Sequence, residues 1–154
     1  MRWGGNAATR YNWKNFNTNA AQDFFFANRT FLNGADTTLY TDSTKFVSNI
    51  VAAGGNPVMT VGMLPWVAKD SVSGSFSVKK YGAQCQVNPF NSDQGNGILK
   101  SDCKTPVTGN DPKDAHVPLL DSPGGSDPTG SVYRSEWVAA LATNYGSPSF
   151  ERRQ

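Results

Sequence analysis

Apolar residues in this chain fall into short blocks divided by long polar stretches, and the period within each block predicts the element it builds. Residues 1–6 form a brief block ending in Gly4-Gly5-Asn6. It reads as a strand running into a sharp turn, because glycine tolerates positive φ and close approach. Thr18 or Asn19 is a helix cap, and Phe24, Phe25 and Phe26 supply apolar bulk for a helix running to Asn28. Asp42-Ser43 caps a second helix, with Phe46, Val47, Ile50 and Val51 on one face and Gly54-Gly55 closing it. The near-continuous apolar run Pro57 to Leu64 predicts a strand buried on both faces. The order strand, helix, helix, strand implies parallel strands of the α/β class, with a right-handed crossover.

Beyond Trp66 the periodicity stops. Residues 69–130 are rich in Gly, Pro, Asn, Asp and Ser, and loops of that length tend to be functional. Ser135 opens a third helix, with Trp137, Val138, Leu141 and Ala142 on one face and Gly146 at its end. There is no internal repeat and no linker, so residues 1–154 read as one unit. At 154 residues the chain is long enough for a real core. It is too short for a complete (β/α)-barrel, which needs roughly 200 residues or more.

Composition narrows the chemistry. A net charge of +2, from 14 basic and 12 acidic residues, argues against nucleic acid as a partner. Charged residues are 17% of the chain, below the roughly 25% of an average domain, while aromatics reach 12%. Aromatic faces and neutral amides suit sugars, which offer apolar C–H faces and hydroxyls; a secreted protein with long ordered loops has the same composition. Cys85 and Cys103 stand 18 residues apart, as a disulfide or as two free thiols. His116 has no partner motif and reads as a surface loop residue. No apolar stretch approaches the length of a membrane span.

Several ordered motifs resemble glycoside hydrolase family 44: Arg2-Trp3-Gly4-Gly5-Asn6 with Thr9 to Trp13, Pro57 to Val61, Trp66 to Asp70, Ser75 to Gly82, Asp93 to Gly97, and Asn110-Asp111-Pro112. The resemblance runs nearly to Gly146. It implies a partial (β/α)8 TIM-type barrel, about strands 2 and 3 with their helices and a long βα loop. It also implies a secreted, extracellular parent enzyme that hydrolyses β-1,4-glucan or xyloglucan with retention and needs no cofactor for the chemistry. Retention requires two carboxyl groups roughly 5–5.5 Å apart. In the family these are glutamates at the ends of the fourth and seventh strands, the first preceded by Asn. This chain has no Asn-Glu dipeptide, and its two glutamates, Glu136 and Glu151, match neither position. The resemblance therefore implies a fragment with no catalytic carboxylate, its leader and first strand lying upstream.

Candidate site residues follow the strand ends. Arg2, inside the first strand, is expected to be buried and to orient a carboxylate from elsewhere, or to form a structural ion pair. Asn6 is a hydrogen-bond donor to sugar or a turn residue. Trp13 and Trp66 are stacking platforms or core residues, whereas Trp3 and Trp137 are packing residues. Lys69 reaches the cleft rim or is simply solvated. Asp93, Asp111 and Asp114 are oxygen ligands for a structural calcium, or turn residues. A noncatalytic carbohydrate-binding module and an inert structural fragment are the other readings.

Overall fold

A computed structural model describes residues 1–30, 43–107 and 113–145. Asp42, Asp111, Gly146 and residues 149–154 lie outside the described residues. Among the described residues the architecture is mixed α/β: two two-stranded sheets, one three-stranded sheet and three α-helices. No described helix is long and apolar enough to cross a membrane.

The first strand, β1 (Arg2–Trp3), pairs in parallel with β4 (Val58–Met59), placing Arg2 opposite Val58 and Trp3 opposite Met59. Bonds from Val58 N to the Met1 carbonyl (2.9 Å) and from Thr60 N to the Trp3 carbonyl (3.0 Å) extend the ladder. Trp3 and Met59 face the helices. Trp3 packs edge-on to Tyr11 and Phe46, with ring centroids 5.1 and 5.3 Å apart, in a core with Val47, Ile50 and Trp137. Helix α1 (Ser43–Ala52) supplies Phe46, Val47 and Ile50. It ends where Gly54, at φ +74°, lets its N–H reach the Val51 carbonyl and Gly55 N–H the Ile50 carbonyl, the αL closure that glycine permits. Helix α3 (Arg134–Tyr145) lies beside α1; Trp137 Nε1 donates to Ser43 Oγ and Tyr145 OH to the Thr44 carbonyl.

Four expectations change. Val51 is half exposed, because the buried stripe of α1 stops at Ile50. The run 57–64 is not buried on both faces: Val58 is 56% and Met63 82% exposed. Only the Trp3–Met59 side of this short ladder has helices against it, and the described residues leave the other side open.

Residues 18–28 form no helix. β2 (Asn17–Asn19) and β3 (Asn28–Thr30) pair antiparallel around a 3-10 turn, Ala21–Phe24. The Asn19 side chain accepts from Ala21 N and donates to the Phe26 carbonyl and Asn28 Oδ1. Local side-chain bonds of this kind compete with helix, and Phe25 and Phe26 adopt left-handed φ of +50° and +49°.

The stretch after Trp66 is also more ordered than its composition suggests. β5 (Trp66–Ala68) pairs antiparallel with β6 (His116–Leu120), and β6 pairs in parallel with β7 (Val132–Tyr133). Its small core of Val67, Leu119 and Val132 meets the first core through Trp13. A one-turn helix, α2 (Val78–Tyr81), is capped by Ser77. Buried amides hold the loop together: Gln84 donates to the Phe76 carbonyl and accepts from Gly97 N, and Gln94 accepts from Asn88.

Candidate functional site

The carboxyl ends of β1 and β4 converge with the start of β5. A 3-10 turn, Asn6–Arg10, follows β1 and seats its Thr9 carbonyl against Gly62, where a Cβ would lie 2.6 Å from that oxygen. Asn12 Nδ2 donates to the Ala68 carbonyl at 2.7 Å, fixing β5 over the residues that follow β1. Arg134 binds the exit of β4: Nε donates to the Gly62 carbonyl (2.8 Å), one terminal nitrogen to the Leu64 carbonyl (2.7 Å), and the other to Asp121 (2.8 Å).

On this platform sits an aromatic and cationic stack. The His116 imidazole lies flat on Trp66, 3.3 Å between centroids and 10° from parallel. The Arg10 guanidinium lies over the same indole at 5.6 Å and donates to the Asn6 carbonyl. Burial lowers the Arg10 pKa, opposed by the charge of Asp23. Arg10 Nε is buried with no hydrogen-bond partner among the described residues.

This geometry revises several site assignments. His116 is no surface-loop residue: it belongs to β6 and covers one face of Trp66, leaving at most the other for a sugar. Trp66 itself begins a strand. Trp13 lies between the two cores, with Nε1 enclosed, and so packs as a core residue. Arg2 is exposed, not buried; it points away from the helices, beside Gly4 and Thr60, where a Cβ on Gly4 would lie 2.8 Å from its Nε. The reason is the open side of the β1–β4 ladder. Asn6 is exposed at the start of the turn, and Lys69 is exposed at the end of β5, engaged through its backbone. Trp3 and Trp137 pack in the core as expected.

The acidic residues have local tasks. Asp93 accepts from Lys79 N and Ser77 Oγ, and the Lys79 amide leads in holding its pKa below the ordinary value against partial burial. Asp114 pairs with Lys80, and Glu136 with Lys14 at 2.8 Å. Among the described residues no three His, Cys, Asp or Glu side chains are grouped to hold a metal. Cys85 and Cys103 are joined, with Cα atoms 5.2 Å apart. Although abundant neutral amides suit sugars, Asn12, Asn19, Asn28 and Asn88 are buried in the fold's own hydrogen bonds.

Sequence reasoning missed a groove of about 660 Å3 beside the hairpin, lined by Phe25, Phe26, Phe76, Gln86 and Asn96 among others. The Phe24–Phe26 run was its only sequence signal.

The sequence profile of glycoside hydrolase family 44 matches residues 17–152. The chain belongs to that family. Among solved structures, this family member is similar to CelM2, a bifunctional glucanase-xylanase from a metagenome library, at 31% identity and a TM-score of 0.69 over 94% of the chain and 26% of CelM2. It also shares its fold with a Paenibacillus polymyxa xyloglucanase (20% identity, TM-score 0.59, 94% of this chain and 25% of that one). Cel44A, an endoglucanase from Clostridium thermocellum, is comparable (20% identity, TM-score 0.57, 95% and 26%). The chain thus spans about a quarter of the length of these solved relatives. No curated protein matches it.

Proposed function

We propose that this chain forms one side of the sugar cleft in a (β/α)8 barrel of a retaining, endo-acting glycoside hydrolase that cleaves β-1,4-glucan or xyloglucan. The parallel β1–β4 pair carries this reading. Helices pack on the Trp3–Met59 side, as they do outside a barrel, and Arg2 stands on the opposite side, which corresponds to a barrel's interior. There Arg2 donates to and orients a catalytic carboxylate that this chain does not itself contain. Asn6 and Lys69 take the cleft rim, and Trp66 offers a sugar what His116 and the Arg10 guanidinium leave of its ring. The parent protein is secreted, a reading that the Cys85–Cys103 bridge supports, since disulfides persist in oxidising compartments. The noncatalytic module has less behind it, because such modules are usually paired antiparallel sheets.

The test is a chimaera in which this chain replaces the aligned quarter of CelM2. It should release reducing sugar from xyloglucan or carboxymethyl cellulose. Arg2→Ala in that chimaera should lower kcat at least tenfold with a smaller change in KM, since Arg2 orients a reacting group rather than holding sugar. A folded chimaera without glucan hydrolysis would overturn the reading.

A further inference from the structure

We propose that the groove between the hairpin and the disulfide loop is a second sugar site, which holds a β-1,4-glucan chain apart from the cleft at the strand ends. The inference rests on the glucan reading above and adds a place on the molecule to it. At about 660 Å3 the groove falls in the roughly 300–1,000 Å3 range of small-ligand sites. Its apolar part is three phenylalanines with Ile98 and Pro106 beside them. Phe76, 1% exposed, meets Phe26 edge to face at 4.9 Å and forms the floor. Phe25 and Phe26 stand at the lip in consecutive left-handed conformations. Bulky residues rarely adopt these, and such strain clusters at ligand sites. The polar part includes neutral amides: Gln22 and Gln86 are exposed, and Asn96 fixes the wall by accepting from the Gln86 and Ile98 backbones.

Aromatic faces rimmed by uncharged amides match a pyranose, whose C–H face stacks while its hydroxyls exchange hydrogen bonds. Among the described lining residues the charged ones, Asp23 and Lys104, have opposite signs. Its walls are held firmly. Cys85 N and Asn96 N bond across the disulfide loop to the Ile98 and Gln86 carbonyls, and Ser75 Oγ ties the loop to the hairpin at the Phe26 carbonyl. A preformed site of this kind needs little ordering when it binds.

The test is native gel electrophoresis of the 154-residue chain through gels containing hydroxyethyl cellulose, an unbranched glucan, or xyloglucan, a branched one. Both should retard the chain if the groove takes the glucan backbone; retardation by xyloglucan alone would assign it to the xylosyl branches instead and overturn the backbone assignment. Phe25→Leu keeps bulk and backbone strain but removes the ring. It should weaken retention at least fivefold, Phe25→Trp should restore it, and Gln86→Ala should weaken it similarly. Circular dichroism must show each variant folded, and Gln86, exposed on the rim, serves where Phe25→Leu does not fold. Trp66→Ala removes only the cleft's platform, so the share of retention that Phe25→Leu and Gln86→Ala remove should survive it. If Trp66→Ala abolishes retention while Phe25→Leu and Gln86→Ala do not, the groove is refuted and the glucan reading stands. No retention of the parent chain by either polymer also refutes the groove, while the chimaera still judges the glucan reading. Concentration-dependent dimerisation that Phe25→Leu removes would place a second copy in the groove and overturn the proposal.

Discussion

Single residues set how closely the pieces of this site approach. Gly62 touches the Thr9 carbonyl, and a methyl group there would sit 2.6 Å from backbone oxygen that has no flexible end to yield. Gly62→Ala should therefore cost about 1–3 kcal/mol, in the range of overpacking, read as a lower urea midpoint with an unchanged slope. Arg134 binds the same exit from above. Its bonds to the Gly62 and Leu64 carbonyls need the planar fork, and without it those carbonyls lose partners in a half-buried place. Arg134→Ala should cost about 2–4 kcal/mol, and Arg134→Lys should recover less than half of that, since an ammonium cannot bond both carbonyls in the same geometry. Equal stability of the Arg and Lys forms would show that only charge matters here. Glycine punctuation made Gly54-Gly55 legible in sequence. The roles of Gly62 and Arg134 were not, because both depend on partners far along the chain.

At the scale of elements, legibility follows the origin of the signal. α1, α3 and the β1–β4 pair carry apolar periodicity or a continuous apolar run, and these were readable, although Val51 and Val58 turned outward. At residues 17–30 a candidate cap and the apolar bulk of three phenylalanines suggest a helix, whereas the bonds that decide the hairpin come from Asn19 and Asn28. β6 was hidden within a polar stretch, and with it the place of His116 on Trp66. The long loop relies on carboxylates as much as on apolar burial. Burial alone would raise the Asp70 pKa, but bonds from Ser73, Val72 and Asn28 together outweigh it and hold it low. Hydrogen bonds from Thr105, then Lys104, hold Asp102 at about 2. A carboxyl whose folded pKa is depressed adds stability above its ordinary value and loses it as pH falls. The thermal midpoint should accordingly drop as pH falls from the ordinary 3.8 toward about 2. Asp70→Asn and Asp102→Asn together should flatten that drop; an unchanged profile would remove these carboxylates from the account. The disulfide adds a second constraint on the same loop. Closing 18 residues is worth about 3 kcal/mol in the chain-entropy view. Reductant should lower the midpoint by several degrees and expose two alkylatable thiols, whereas two thiols without reductant would reject the bridge.

For the whole molecule, the decisive feature is the side of the β1–β4 ladder that the described residues leave uncovered. Val58 and Arg2 stand exposed there, and beyond the paired residues Met1 and Met63 are 75% and 82% exposed. Short strands with an uncovered apolar face invite pairing between chains, so the 154-residue chain should associate with rising concentration, visible by light scattering. The same geometry bears on catalysis. Glycoside hydrolysis with retention needs two carboxyl groups held roughly 5–5.5 Å apart. Of the two glutamates, Glu136 sits in an exposed pair with Lys14, and Glu151 lies outside the described residues in a sequence unlike either family motif. Among the described aspartates, Asp93 accepts at the start of α2, Asp70 and Asp102 brace turns, and Asp114 and Asp121 pair with Lys80 and Arg134. Groups that act as a unit fail together, and losing them typically costs several orders of magnitude in rate. The chain by itself should therefore release no reducing sugar from xyloglucan or carboxymethyl cellulose above blank, even where the groove binds those polymers. Turnover that an Asp or Glu substitution within this chain abolishes would place the active site inside these residues and overturn the assignment of Arg2 as a residue that serves a carboxylate from elsewhere.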